Sequence, residues 1–149
     1  EIYRIILDEK GKFKLLRISQ QSSMVKPFKI INKTILAEKK TQINLSGGKN
    51  ILSQDNSLKV NDTIILDITN NSVQKHLKFD KNATILLSSG KNAGAFGILK
   101  EVYAEKSMAR PRILIEAGKE KIETLKAYAM VIEKEFIEDG TTDEKNKGK

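Results

Sequence analysis

Apolar residues in this chain fall in short runs rich in Ile, Leu, Val and Thr, separated by turn residues, and that spacing predicts a mostly β protein. "IYRIIL" and "KFKLLRI" flank "DEKG", where Gly11 can supply a positive φ, so a β-hairpin is expected at the start. Ser19 can cap a brief helix through "QQSSMVK", which Pro27 would end because proline lacks the amide donor of a helix interior. "FKIINKTIL" and "TQINLS" read as further strands, turning at "EKK" and at Gly47-Gly48. "SLKVNDTIILDI" puts a turn at Asn61-Asp62 ahead of a strand whose Ile64, Leu66 and Ile68 point one way. In "VQKHLKF", Val73, Leu77 and Phe79 should share one face, and Gln74, His76 and Lys78 the other.

Composition shifts near Lys81-Asn82. Beyond it "ATILLSS", "GILKEVYAE", "RILIEA", "KIETLK" and "AMVIEKE" give five strands, and Ala127-Tyr128 suits a single 3₁₀ turn before the last. Five short strands with such a turn describe an SH3-like barrel. The ending "DGTTDEKNKGK" has no apolar residue to bury and is expected to be disordered. The expected layout is a central β-rich domain with one short helix over 1–81, a barrel over 82–136 and a tail over 137–149. The chain opens on Glu1 straight into a strand with no signal-peptide pattern, so a fragment preceded by further sequence is expected.

Charge narrows the partners. The 27 Lys and Arg against 19 Asp and Glu leave +8 and a pI near 9.6, which favours polyanions, nucleic acid first. Residues 1–40 carry +6, 41–80 zero, 81–132 +4 and 133–149 −2, so polyanion contacts should gather on the first and third segments. There are no cysteines, which excludes disulfides and thiolate metal sites and fits a cytoplasmic home. No apolar run approaches the ~20 residues of a membrane span, so no membrane partner is expected.

Catalytic chemistry finds little footing. His76 is the only histidine, and a zinc site built on it would need three carboxylates. It reads as a surface residue on the polar face of its strand. Asp62 and Asp67 flank a strand on opposite sides, a poor geometry for paired carboxylates. Asp62 reads as a turn residue and Asp67 as a solvated one. No nucleophile elbow accompanies the serines. The protein is therefore read as no enzyme, with no cofactor, no metal and no small-molecule substrate. Eight Phe and Tyr and no Trp are too few for an aromatic cage or a base-stacking platform. Phe13, Phe79 and Phe96 read as core, and Tyr103 and Tyr128 as partly exposed.

The glycine cluster "GKNAGAFGILKEV" is the most informative stretch. As a dinucleotide fingerprint it fails, because its spacing is G-x-x-x-G-x-x-G and a strand follows it instead of a helix. As a Walker loop it lacks the final Gly-Lys-Ser/Thr. What remains is a loop into a strand, in which Gly90, Gly94 and Gly97 permit turns or close approaches and Lys91 and Asn92 sit at the tip. "SSGKNAGAFGILKEV" resembles the KOW motif of ribosomal proteins and of transcription elongation factors. With "YRIILDEKGKFKLLRIS", "LKVNDTIILDI", "KFDKNATILLSSGKNAGAFGILKEV" and "AYAMVIEK" in that order, residues 1–136 resemble the archaeal and eukaryotic small-subunit ribosomal proteins of the S-four "e" family.

That resemblance implies a central β-rich domain followed by a KOW barrel, with the family's N-terminal RNA-binding domain missing. It implies a structural constituent of the small ribosomal subunit in the cytoplasm, bound to ribosomal RNA and to neighbouring ribosomal proteins. The chain departs from the family in being Lys-rich where relatives carry more Arg and His, and in its "NLSGGKNI" stretch. The expected RNA contacts are Lys10, Lys12 and Lys14 on the first hairpin, Lys81, Lys91, Asn92 and Lys100 around the KOW turn, and Arg110 and Arg112 ahead of the third barrel strand. The alternative is a KOW/SH3-like module that binds protein, as in a transcription elongation factor.

Overall fold

The computed structural model describes residues 1–8, 10–103 and 110–137. The expected tail, apart from Ile137, lies outside the described residues. The fold is mainly β: twelve strands, two four-residue helices and three 3₁₀ turns among the described residues. None of those helices is long and apolar enough to cross a membrane. Two compact units emerge, one of residues 24–79 and one that joins 1–23 to 80 onward. The expected join at 81–82 falls within two residues of a passage between units. The first 23 residues, expected with the central part, cluster with the barrel strands instead.

In the unit of residues 24–79, five antiparallel strands lie in the order β5-β4-β3-β6-β7. They are β3 (Val25–Ile35), β4 (Thr41–Leu45), β5 (Asn50–Ser53), β6 (Thr63–Asp67) and β7 (Ser72–Leu77). The eleven-residue β3 pairs with β6 through Val25–Lys29 and with β4 through Ile30–Ile35. Pro27 belongs to this strand and does not end the helix, which stops at Ser23. It sits in the half of β3 that pairs on one side only, where a strand tolerates a residue with no N–H. The turns at "EKK" and Gly47-Gly48 form as expected, with positive φ at Glu38, Lys39 and both glycines. Phe28, Ile30, Ile43, Leu45, Leu58, Ile64 and Leu66 make the core. In β6 every residue from Thr63 to Leu66 is buried, so alternation does not apply there, and Ile68 lies beyond the strand, exposed.

A bulge corrects the expected faces of β7. Lys75 pairs with Ile65 but Val73 pairs with Leu66, so Gln74 is an extra residue. The slip places His76 opposite the buried Ile64. His76 is therefore no surface residue: its Nε2 lies 2.6 Å from Oδ2 of Asp62, and the two side chains are 17% and 6% exposed. Asp62 is more than a turn residue. Its carboxylate also accepts the amides of Phe79 (2.9 Å) and Lys59 (3.2 Å), and its backbone O accepts the Ile30 amide. One buried aspartate, through its carboxylate and its backbone O, thus ties the end of β7 and the loop before β6 to the long strand. Asp67 is the solvated turn residue expected, held by the Thr69 amide and hydroxyl.

The other unit contains the hairpin β1 (Ile2–Leu7) and β2 (Phe13–Ile18), the helix α1 (Gln20–Ser23), a five-stranded sheet and the helix α2 (Lys134–Ile137). Ser19 caps α1 as expected, its Oγ accepting the Ser22 amide at 3.1 Å. The sheet runs β11-β10-β9-β8-β12, all antiparallel neighbours, from β8 (Thr84–Leu87), β9 (Phe96–Tyr103), β10 (Arg112–Ala117), β11 (Glu120–Leu125) and β12 (Ala129–Val131). A 3₁₀ turn at Lys126–Tyr128 precedes β12, one residue earlier than expected, and the SH3-like arrangement of the sequence is met strand for strand.

Ile85, Leu87, Leu99, Ile113 and Ile115 are fully buried in this sheet. Leu16 and Ile18 bury one face of the hairpin. Its other face carries Tyr3, Ile5, Phe13 and Leu15 in the open, so Phe13, at 83% exposure, is not a core residue. Phe79, Phe96, Tyr103 and Tyr128 are half-buried. Arg4 fastens the hairpin: its guanidinium lies 4.7 Å from the centre of the Phe136 ring and donates to the backbone O of Ser22 and Phe136.

Replacing Asp62 by Ala should destabilise the chain by about 2–3 kcal/mol, because two amides and an imidazole lose their acceptor in a dry site. Urea unfolding measures this, and a change below about 0.5 kcal/mol would contradict it.

Candidate nucleic-acid interface

The expected contact residues sit on turns, and the turns are fixed by their own backbones. At the tip between β1 and β2, Oδ1 of Asp8 accepts the amides of Lys10 and Lys12, each at 2.9 Å. Its backbone O accepts the Gly11 amide and its own amide donates to Lys12. The Asp8 carboxyl is held below the ordinary aspartate range, chiefly by the Lys12 amide. The glycine loop between β8 and β9 is closed as firmly. Gly94 donates to Leu87, Ala95 to Asn92, and Leu87 to Ala95, while Ser88 donates to Tyr128 ahead of β12.

These two turns meet. A Cβ on Gly94, whose φ is +93, would stand 1.8 Å from the backbone O of Asp8. The hairpin tip is seated on the glycine loop with no room for a side chain. Gly90 and Gly97 answer to other neighbours: a Cβ there would strike the Tyr128 ring and the backbone O of Glu116. The permissive backbone at 90–97 therefore serves close packing, and the packing delivers two basic tips to one place.

That place is an open groove of about 800 Å³. Lys10, Lys91 and Asn92 line it together with Lys119 from the β10–β11 turn. None of the three lysines makes an ion pair with a described residue. Lys119 was not among the expected contacts. Its local signal was only "AGKE", an ordinary hairpin turn, and nothing in the linear sequence brings that turn beside residue 91.

The remaining expected residues divide. Lys81 and Lys100 line a second, smaller groove of about 290 Å³ with Leu99, Glu101 and Val102. Lys100 is the extra residue of a bulge between β9 and β10, and its Nζ lies 3.6 Å from Glu116. Arg112 opens β10 with its Nε 3.0 Å from Glu123, so its charge is already balanced. Arg110 is exposed just ahead of it. Lys12 and Lys14 are exposed on the hairpin but line neither groove. Among the described residues no group of three or more His, Asp or Glu could hold a metal ion.

Three lysines with no ion pair to a described residue thus converge on one groove of a mainly β, basic chain. Residues 1–73 match the model of the ribosomal family S4e. The chain is 35% identical over 132 residues to the small ribosomal subunit protein eS4 of Archaeoglobus fulgidus, covering 89% of this chain and 55% of that protein. It is 33% identical over 136 residues to the protein of the same name from Methanothermobacter thermautotrophicus, covering 91% and 56%. The crystal structure of the 30S ribosomal protein S4e from Thermoplasma acidophilum shares the fold, with a TM-score of 0.72 at 18% identity over 87% of this chain and 65% of that one. The chain belongs to the ribosomal S4e family, and it spans about half the length of the curated relatives it matches.

Gly94→Ala should cost about 2–4 kcal/mol in unfolding free energy, since a backbone carbonyl must move. Gly118→Ala, with positive φ but open space, should cost only about 1–2 kcal/mol. Equal losses in thermal or urea denaturation would contradict the close packing. Because folding depresses the Asp8 pKa, its contribution is present above the unfolded value of ~3.9 and lost as pH falls through the lower folded one. The Lys10 and Lys12 amide resonances should titrate together with a midpoint below ~3.9, and a midpoint above it would contradict the assignment.

Proposed function

We propose that this chain is part of a structural, non-enzymatic constituent of the small ribosomal subunit and that it binds folded ribosomal RNA through the hairpin tip and the glycine loop. The observation that carries the reading is the convergence of Lys10, Lys91 and Lys119 on one groove with no acidic partner among the described residues. Family membership supports it, since the relatives are named small ribosomal subunit proteins. The working place would be the ribosome in the cytoplasm. Ammonium groups bind phosphate as point charges, so position and charge dominate over sequence. Lys12, Lys14, Lys81 and Arg110 extend the basic surface, whereas Lys100 and Arg112 contribute less because Glu116 and Glu123 already balance them. The exposed face of Tyr3, Ile5, Phe13 and Leu15 suits contact with neighbouring ribosomal proteins.

Binding of the 149-residue chain to small-subunit RNA fragments should weaken with salt at a log–log slope of about −3 to −5, as for four to six phosphates. Lys10→Glu, Lys91→Glu and Lys119→Glu should each reduce affinity and flatten that slope by about one. A flat salt dependence would defeat the proposal, and so would three silent substitutions.

A further inference from the structure

The groove has a floor as well as a rim. Ala95, Phe96, Ala117 and Ile122 line it along with the three lysines. Resting on the RNA-binding reading above, we propose that this groove takes one unpaired, extruded nucleotide of the RNA rather than a base-paired segment. A duplex presents its phosphates on a convex surface and hides its base edges in a deep, narrow major groove. It would meet the lysines but leave the apolar floor wet. A single base is flat and apolar on its faces, and it covers such a floor while its two flanking phosphates reach the rim. The volume, about 800 Å³, lies within the ~300–1,000 Å³ of sites that enclose small ligands.

The polar groups are arranged for that occupant. Lys10, Lys91 and Lys119 come from three different turns, so positive charge borders the floor from three elements. Asn92 offers a carbonyl acceptor and an amide donor, the pair that reads a base edge. Glu120 also lines the groove. It repels phosphate, and its carboxylate can accept from a base amino group or a ribose 2′-hydroxyl. One half-buried phenyl ring serves one base, not a run of stacked bases.

The test compares two RNA hairpins that differ by a single bulged nucleotide, binding the 149-residue chain at fixed salt. The bulged hairpin should bind about tenfold more tightly. Asn92→Ala should shrink that preference to about twofold or less. A 2-aminopurine at the bulge should change its emission on binding, and the same probe inside the paired stem should not. Equal affinity for the two hairpins, or a silent bulge probe, overturns the nucleotide site while RNA binding stands. Failure to bind either hairpin at low salt overturns the RNA reading itself, and this inference with it.

Discussion

The contact between Gly94 and the carbonyl of Asp8 fixes the two turns whose lysines line the proposed RNA-binding groove. Two turns far apart in sequence share one seat, and no atom larger than hydrogen fits between them. The placement of Lys10 beside Lys91 depends on it. Lys10 and Lys91 belong to segments that long side chains and free loops would otherwise let wander. Ordering a lysine on binding costs rotamer entropy, and a mobile backbone would add its own. A backbone fixed in advance removes the second cost. The Asp8 carboxylate acts in the same direction from within the hairpin, holding the amides of the two lysines that flank Gly11.

The unit of residues 24–79 solves a different problem with the same chemistry. Its strands supply a dense aliphatic core, yet its one histidine and a buried aspartate decide how the last strand meets the rest. Asp62 collects a ring nitrogen and two amides, which is how a buried carboxylate avoids a large desolvation cost. The pair has the components that a search for catalysis would flag. Asp62 instead fastens two backbone amides beside the ring.

Much of this was legible in the sequence. The first hairpin, the Ser19 cap, the "EKK" and Gly-Gly turns, and the five strands with their 3₁₀ turn all announced themselves through turn chemistry and short apolar runs. What failed did so for identifiable reasons. The faces of β7 inverted because a single extra residue, Gln74, breaks a period of two, and no local composition marks a bulge. Phe13 was assigned to the core on residue type, but its strand belongs to a two-stranded hairpin with only one covered face. Pro27 was read as a helix stop, although the strand that contains it pairs on one side there. At the candidate site, the sequence pointed to lysines on the hairpin and on the glycine loop, but their grouping on one groove was invisible. Lys119 joined them, and Lys100 and Arg112 turned to carboxylates, through strand register alone.

On the proposed reading, separate turns are locked together to present one anion-binding groove. Photochemical crosslinking of the chain to small-subunit RNA, with the crosslinked peptides mapped by mass spectrometry, tests it most directly. Crosslinks are expected on the peptides that carry Lys10, Lys91 and Lys119, appearing and competing away together. Crosslinks confined to residues 24–79, or found on one of those three peptides without the others, would contradict it.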